Sequence, residues 1–233
     1  MKERDTMLRN SILFDINETV LNLALLKPKF KKAFGNELVT AIWFSKLLHA
    51  STVCSLTGVK VSFANLAGDT LDNVASFMGV KLSKTYREDI LSTFANLSAH
   101  NDIKPALTTL RNNGYSTIAF SNSSLDLITK QIKNAGLIDY FDEVISVEET
   151  GSFKPDSRVY QYVAERLKKP INSLRLVATH DWDTHGAMSA GMLSAYIDRS
   201  GMPYHPRYIQ SPIIATNMTD LVKKIINDDK QVN

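Results

Sequence analysis

From about residue 103 to residue 222 the chain alternates helical stretches with short apolar runs, and this pattern leaves few folds open. Apolar periodicity places strands over 116–120, 143–147, 174–178 and 194–198. Helices fall over 104–112, 123–134, 156–167, 184–190 and 219–226. Gly114, Ala135-Gly136 and Gly191 stop three of them, and Pro155 opens another. An earlier apolar run, Ser11-Ile12-Leu13-Phe14, adds a first strand. Strands separated by helices pair in parallel, and a parallel sheet is covered on both faces. The expected fold is therefore α/β, a doubly wound parallel sheet of Rossmann-like form.

The stretch over 23–97 carries no clear strand. Ala41-Ile42-Trp43, Leu47-Leu48, Leu66-Ala67, Leu71, Val74-Ala75 and Phe77-Met78 recur at helical spacing. We read it as a helical cap inserted after the first strand. The expected division is a core of residues 1–22 and 98–233 with a cap of residues 23–97. A cap over the carboxyl edge of the sheet excludes water and shapes a pocket.

Composition narrows the function. The apolar fraction is 44% and the net charge only +3, with no basic block, so neither nucleic acid nor a membrane surface is the expected partner. Lys29, Lys31 and Lys32 read as a solvated helix face. Cys54 is the single cysteine, which precludes an internal disulfide and fits a cytoplasmic location; its neighbours suggest a buried thiol. Lys2, Glu3, Arg4 and Asp5 precede the first strand without an apolar leader, and no run is long enough to span a bilayer.

The polar residues of interest stand where strands run out. Asp15 follows the first strand and Thr19 lies four residues on; Ser121 and Asn122 end the strand over 116–120. Lys154 precedes Pro155, and Thr179-His180-Asp181-Trp182-Asp183 follows the strand over 174–178. Each alone reads as a cap or turn residue. Together they meet at the carboxyl ends of the strands, where open α/β sheets bind ligands. A carboxylate fixed there is a nucleophile for carbon or phosphorus. Thr19 can aim it, Ser121 and Asn122 suit an anion, and Lys154 can neutralise developing charge. Asp183 is open to three roles: metal ligand, base orienting water, or helix cap. His180 and His185 lack zinc-site spacing, and no glycine-rich phosphate loop is present.

In combination and order these loops resemble the haloacid dehalogenase superfamily, and within it the type II (S)-2-haloacid dehalogenases. Asn17 stands where the superfamily's phosphatases carry a second aspartate. Phe153-Lys154-Pro155-Asp156-Ser157-Arg158-Val159-Tyr160 resembles the subgroup's third loop, and the Trp182-Asp183 pair its fourth. The resemblance implies that Asp15 displaces halide from the carbon next to a carboxylate, and that water oriented by Asp183 then hydrolyses the ester to a 2-hydroxy acid. It further implies that Ser121 and Lys154 hold Asp15 and the substrate carboxylate, that Asn122 cradles the halide, and that Tyr160 supports the Lys154 loop. No cofactor and a homodimer are implied as well. Two departures stand out. Those enzymes carry a cap arginine after a tryptophan; here Trp43 is followed by Phe44, which forgoes a charge-assisted hydrogen bond of roughly 1.5–3 kcal/mol. His180 is bulkier than the usual residue and brings an imidazole to this loop.

Two other functions compete with dehalogenation. In a magnesium-dependent phosphatase, Asp15, the carbonyl of Asn17, and Asp181 or Asp183 would hold Mg2+. Against it, Asn17 cannot act as a general acid, a loss of about 10²–10⁴-fold. The other is a catalytically weak binding protein. The expected partner is a small-molecule carboxylate, with Asn17, Phe44, Tyr160, Trp182 and His180 lining its site beside Asn122.

Overall fold

The computed structural model describes residues 10–232. The charged residues 2–5 lie outside that range. Six parallel strands form one sheet: β1 Ser11–Phe14, β2 Ser116–Ser121, β3 Glu143–Ser146, β4 Leu174–Ala178, β5 Leu193–Ile197 and β6 Ile214–Ala215, in the order β3-β2-β1-β4-β5-β6. Every residue of β1 and β4 is buried, as expected of strands covered on both faces. The layers around them are α5 Ile103–Asn112, α6 Leu125–Asn134, α7 Ser157–Leu167, α8 Asp181–Ser189 and α9 Met218–Val232. The doubly wound parallel α/β fold read from the sequence is the fold observed.

Register decides which side chains share an edge. Phe14 pairs with Ala119 on one side and Val177 on the other. The Asp15 amide donates to Val177 O at 3.0 Å, so Asp15 is held by β4 as it leaves the sheet. The chain reverses direction of strand order on the two sides of β1, and the crevice belongs there, at the strands' carboxyl ends.

Residues between β1 and α5 form four helices: α1 Lys27–Phe34, α2 Val39–Thr57, α3 Phe63–Phe77 and α4 Lys84–Phe94. Trp43 is buried where they meet, against Phe30 and Phe94, with its Nε1 donating to Ala67 O at 3.0 Å. Pro28 sits in the first turn of α1, where its missing N–H costs nothing. Ser62 and Ser83 cap α3 and α4 by accepting from the amides of Asn65 and Tyr86. The segment leaves and rejoins the core at one point, where Asn22 N donates to Ser98 O at 2.8 Å.

Several local readings change. The helix after β4 begins at Asp181, three residues earlier than expected, because His180 O accepts from both Asp183 N and Thr184 N. Trp182 and Asp183 thus ride on the first helical turn. The last helix runs on past residue 226 because the polar end carries Asp229, which is buried against Arg175 and Tyr115. The edge strand β6 is two residues long, too short to show a period. Cys54 is only partly buried, since the outer end of α2 turns Val53 and Leu56 toward solvent. Lys29 pairs with Asp89 at 2.8 Å on a solvated face, as its cluster suggested. Among the described residues no helix is long and apolar enough to cross a membrane.

Candidate active site

Asp15, Lys154 and Asp183 form one buried chain of charge. Lys154 Nζ donates to Asp15 Oδ1 at 3.2 Å, to Asp183 Oδ2 at 2.9 Å and to Phe120 O at 3.0 Å. Its three N–H groups are thereby all used, and only 1% of the side chain is exposed. Phe120 also lies beneath the ammonium, 4.4 Å from nitrogen to ring centre. Burial by itself would lower the lysine's pKa, but the carboxylates of Asp183 and Asp15 outweigh it and raise it. Lys154 is therefore a fixed cation at any physiological pH.

Each carboxylate is fixed in turn. Thr19 Oγ1 donates to Asp15 Oδ2 at 2.7 Å and accepts from Thr179 N at 2.9 Å, so the hydroxyl ties the first loop to the end of β4. Asp183 is wholly enclosed. Tyr160 Oη donates to its Oδ1 at 2.6 Å and Lys154 takes Oδ2. Burial raises the Asp183 pKa and Lys154 opposes it, while burial and the Asp183 charge push the Tyr160 phenol well above its ordinary range. Gly186 makes the close approach possible: a Cβ there would stand 2.6 Å from Pro155 Cβ and 2.8 Å from Tyr160 Oη.

The strand-end residues of β2 serve this frame. Asn122 Oδ1 accepts from Lys154 N at 2.9 Å and fixes the lysine's loop. Ser121 Oγ is buried and accepts from Ser123 N at 3.2 Å. Asn17 turns its side chain into the protein, with Nδ2 donating to Ser123 Oγ and Oδ1 accepting from Gln131 Nε2, each at 3.4 Å. Its carbonyl faces outward, 3.3 Å from His180 Nε2.

A cavity of about 820 Å³ opens over this frame. The sheet edge contributes Glu18, Lys154, Pro155, His180 and Trp182, and α2 contributes Thr40, Ala41, Phe44, Ser45 and Leu48. His180 stacks on Trp182 at 5.1 Å between ring centres, with Phe44 5.9 Å away. Its Nε2 lies 3.7 Å from Asp15 Oδ2 and its Nδ1 3.7 Å from Glu18 Oε2. Asp15, Thr19, Lys154 and Asp183 therefore come together, with Tyr160 and Asn122 behind them and Phe44, His180 and Trp182 in front. Ser121 and Asn17 lie alongside with their side chains turned to other partners.

Three residues of the site carry no motif signal. Glu18 adopts a φ of 68°, a left-handed conformation uncommon outside glycine. His100 Nε2 lies 3.0 Å from Glu18 O; burial and the charge of Arg199 lower the His100 pKa, so a neutral ring donates this bond. Arg199 grips Asp102 through two nitrogens and donates to Thr19 O at 3.1 Å, while its buried Nε has no partner. Arg199 stands just past β5, so the strand-end rule that singled out Asp15 and Ser121 points to it as well.

The carboxylates named for magnesium fit a cation poorly. Asp183 has both oxygens occupied, and Asp181 accepts from Trp182 N and His205 N. Asp15 already faces an ammonium. Among the described residues no group of three or more His, Cys, Asp or Glu side chains converges as metal ligands.

The model of the haloacid dehalogenase-like hydrolases matches residues 10–175. The (S)-2-haloacid dehalogenase 2 of Pseudomonas sp. strain CBS-3 is 29% identical over 192 residues, covering 81% of this chain and 83% of that protein. The (S)-2-haloacid dehalogenase of Pseudomonas sp. strain YL is 28% identical over 193 residues, covering 82% and 83%. Among solved structures, the L-2-haloacid dehalogenase from Xanthobacter autotrophicus superposes with a TM-score of 0.86 at 21% identity, covering 93% of this chain and 98% of that one. A second structure of that enzyme holds chloropropionic acid covalently bound.

Proposed function

Because the chain belongs to the haloacid dehalogenase-like hydrolases, we propose that it hydrolyses the carbon–halide bond of a short 2-haloalkanoic acid through an ester on Asp15. The observation that carries this reading is the Asp15 carboxylate beneath the cavity-lining Lys154 and His180, held by the lysine ammonium and aimed by Thr19. The 2-haloacid dehalogenase names of the relatives support the substrate class.

In the first step Asp15 Oδ2 attacks C2 of the substrate. The C2–O bond forms as the C2–halogen bond breaks, and halide leaves with the electron pair. Oδ2 is the oxygen on the His180 side, while Oδ1 stays with Lys154. In the second step water adds to Cγ of the ester, and negative charge develops on Oδ1. The Lys154 ammonium is already in place against that charge and needs no reorganisation. Cleavage of the Cγ–Oδ2 bond then frees the 2-hydroxy acid, with the former Oδ2 as its hydroxyl oxygen. Asp183 acts through Lys154, whose remaining carboxylate partner it becomes once Asp15 is esterified. Phe44 and Trp182, which line the cavity, give the leaving group an apolar wall. Residues 23–97 work as the cap.

The test is halide release from 2-chloropropionate, bromoacetate and chloroacetate, with and without EDTA, beside a panel of phosphate monoesters. The expected result is halide release unaffected by EDTA. Magnesium-dependent phosphate release without halide release would replace this reading with the phosphatase one.

A further inference from the structure

The second step needs a group that takes a proton from water, and the frame around Asp15 does not supply one. Lys154 has no lone pair, and both oxygens of Asp183 are enclosed and hydrogen-bonded. His180 faces the cavity with its imidazole directly over the nucleophile. We infer that His180, oriented by Glu18, is the base that activates water against the Asp15 ester; the inference rests on the dehalogenase reading above.

Four observations meet in this assignment. First, Nε2 lies 3.7 Å from Asp15 Oδ2, so a water in hydrogen-bond range of Nε2 also stands beside Cγ. Second, Nδ1 faces Glu18 Oε2 at 3.7 Å, where the carboxylate acts on the ring through its charge and favours the imidazolium that forms when water gives up its proton. Third, the Asn17 carbonyl waits 3.3 Å from Nε2 and accepts from it once the proton has arrived. Fourth, the ring cannot swing away, since Trp182 stacks on it and Phe44 closes the cap side. The carboxylates within 4.0 Å of the ring are Asp15 and Glu18.

Glu18 shows that the arrangement is built. Its left-handed φ of 68° is a conformation that a residue with a side chain rarely adopts and keeps only where its surroundings hold it. His100 holds its carbonyl, and Thr19 beside it is anchored to β4, so the turn is fixed on both sides of the side chain. A nucleophile, a base within reach of it and a third group orienting the base are the three parts that such chemistry requires.

The step balances within the site. Water gives a proton to His180 Nε2 and forms a C–O bond to Cγ of Asp15. The tetrahedral adduct collapses, breaking Cγ–Oδ2, and the departing alkoxide takes the proton back from Nε2. His180 is regenerated, and Asp15 is left as the carboxylic acid, which gives the water's second proton to solvent to restore the carboxylate; water is the only reactant consumed besides the haloacid.

Single-turnover experiments with 2-bromopropionate, following halide by rapid quench and the ester by intact-protein mass, separate the two steps. His180→Gln should release halide once per enzyme and then stall as the ester. Its hydrolysis should fall about 10²–10⁴-fold with the rate of halide release kept. Glu18→Gln should slow hydrolysis by roughly 10-fold and still turn over. A folded His180→Asn, verified by circular dichroism, carries the same expectation if the glutamine variant does not fold. Hydrolysis of the ester by His180→Gln at the wild-type rate would overturn the inference and leave the dehalogenase reading standing. Loss of ester formation in that variant would overturn it too, since the role assigned belongs to the second step. A wild type that forms no ester and releases no halide removes the reading on which both rest.

Discussion

Asp15→Ala is expected to abolish halide release without unfolding the protein. Loss of the attacking group in a covalent mechanism lowers turnover by roughly 10⁴- to 10⁶-fold. Stability should move the other way. In the resting site one ammonium faces two carboxylates, all three buried, so one negative charge is uncompensated at the centre of the molecule. Removing Asp15 leaves Lys154 and Asp183 as a matched pair. The melting temperature should hold or rise, as it does where function maintains a destabilised arrangement. The measurement is halide release beside a thermal melt. Residual turnover within tenfold of wild type would exclude Asp15 as the nucleophile.

Lys154→Met should lose both activity and stability. Methionine fills a similar volume beside Phe120 but leaves Asp15 and Asp183 facing each other without a cation. Breaking a buried ion pair from one side costs about 3–5 kcal/mol, which for a chain of this size lowers the melting temperature by roughly 6–20 °C. The pH dependence follows from the sign of the shift. The Asp183 pKa already stands above its ordinary value because of burial, and Lys154 is the group that opposes this. Without the lysine the carboxyl is held more firmly in its protonated form. A group with a raised native pKa contributes stability that is present in acid and lost as pH rises through that pKa. The deficit of Lys154→Met should therefore be smallest near pH 4 and grow toward neutrality. A melt that matches the wild type at pH 7 would show that the lysine does not hold the site together.

How much of this the residues announce depends on the kind of signal. The sheet was legible because β1, β2 and β4 each carry an unbroken apolar stretch, over 12–14, 118–120 and 176–178, and buried parallel strands require such stretches. The two-residue β6 was not, since a period needs more length than it has. The site followed from one rule, that strand ends in an open sheet converge, and that rule brought Asp15, Ser121, Lys154 and Asp183 to one edge. Orientation was beyond it. The sequence names Asn17 and Ser121 but cannot say that their side chains turn to Ser123 and Gln131. Nor does it say that all three N–H groups of Lys154 are spent within the protein, leaving none for a substrate carboxylate. Glu18 and His100 carry no motif at all. Their roles come from a left-handed turn and a long-range contact, and neither has a periodic signature.

The central claim is that an oxygen of Asp15 becomes the hydroxyl oxygen of the product. Isotope transfer during one turnover tests it directly, with enzyme in excess over 2-chloropropionate in water enriched in oxygen-18. The account predicts that the label enters the carboxylate of Asp15, found by mass in the peptide that carries it, and that the 2-hydroxy acid leaves unlabelled. Label in the product hydroxyl with Asp15 unlabelled would mean that water attacks the substrate directly, and would contradict the ester mechanism.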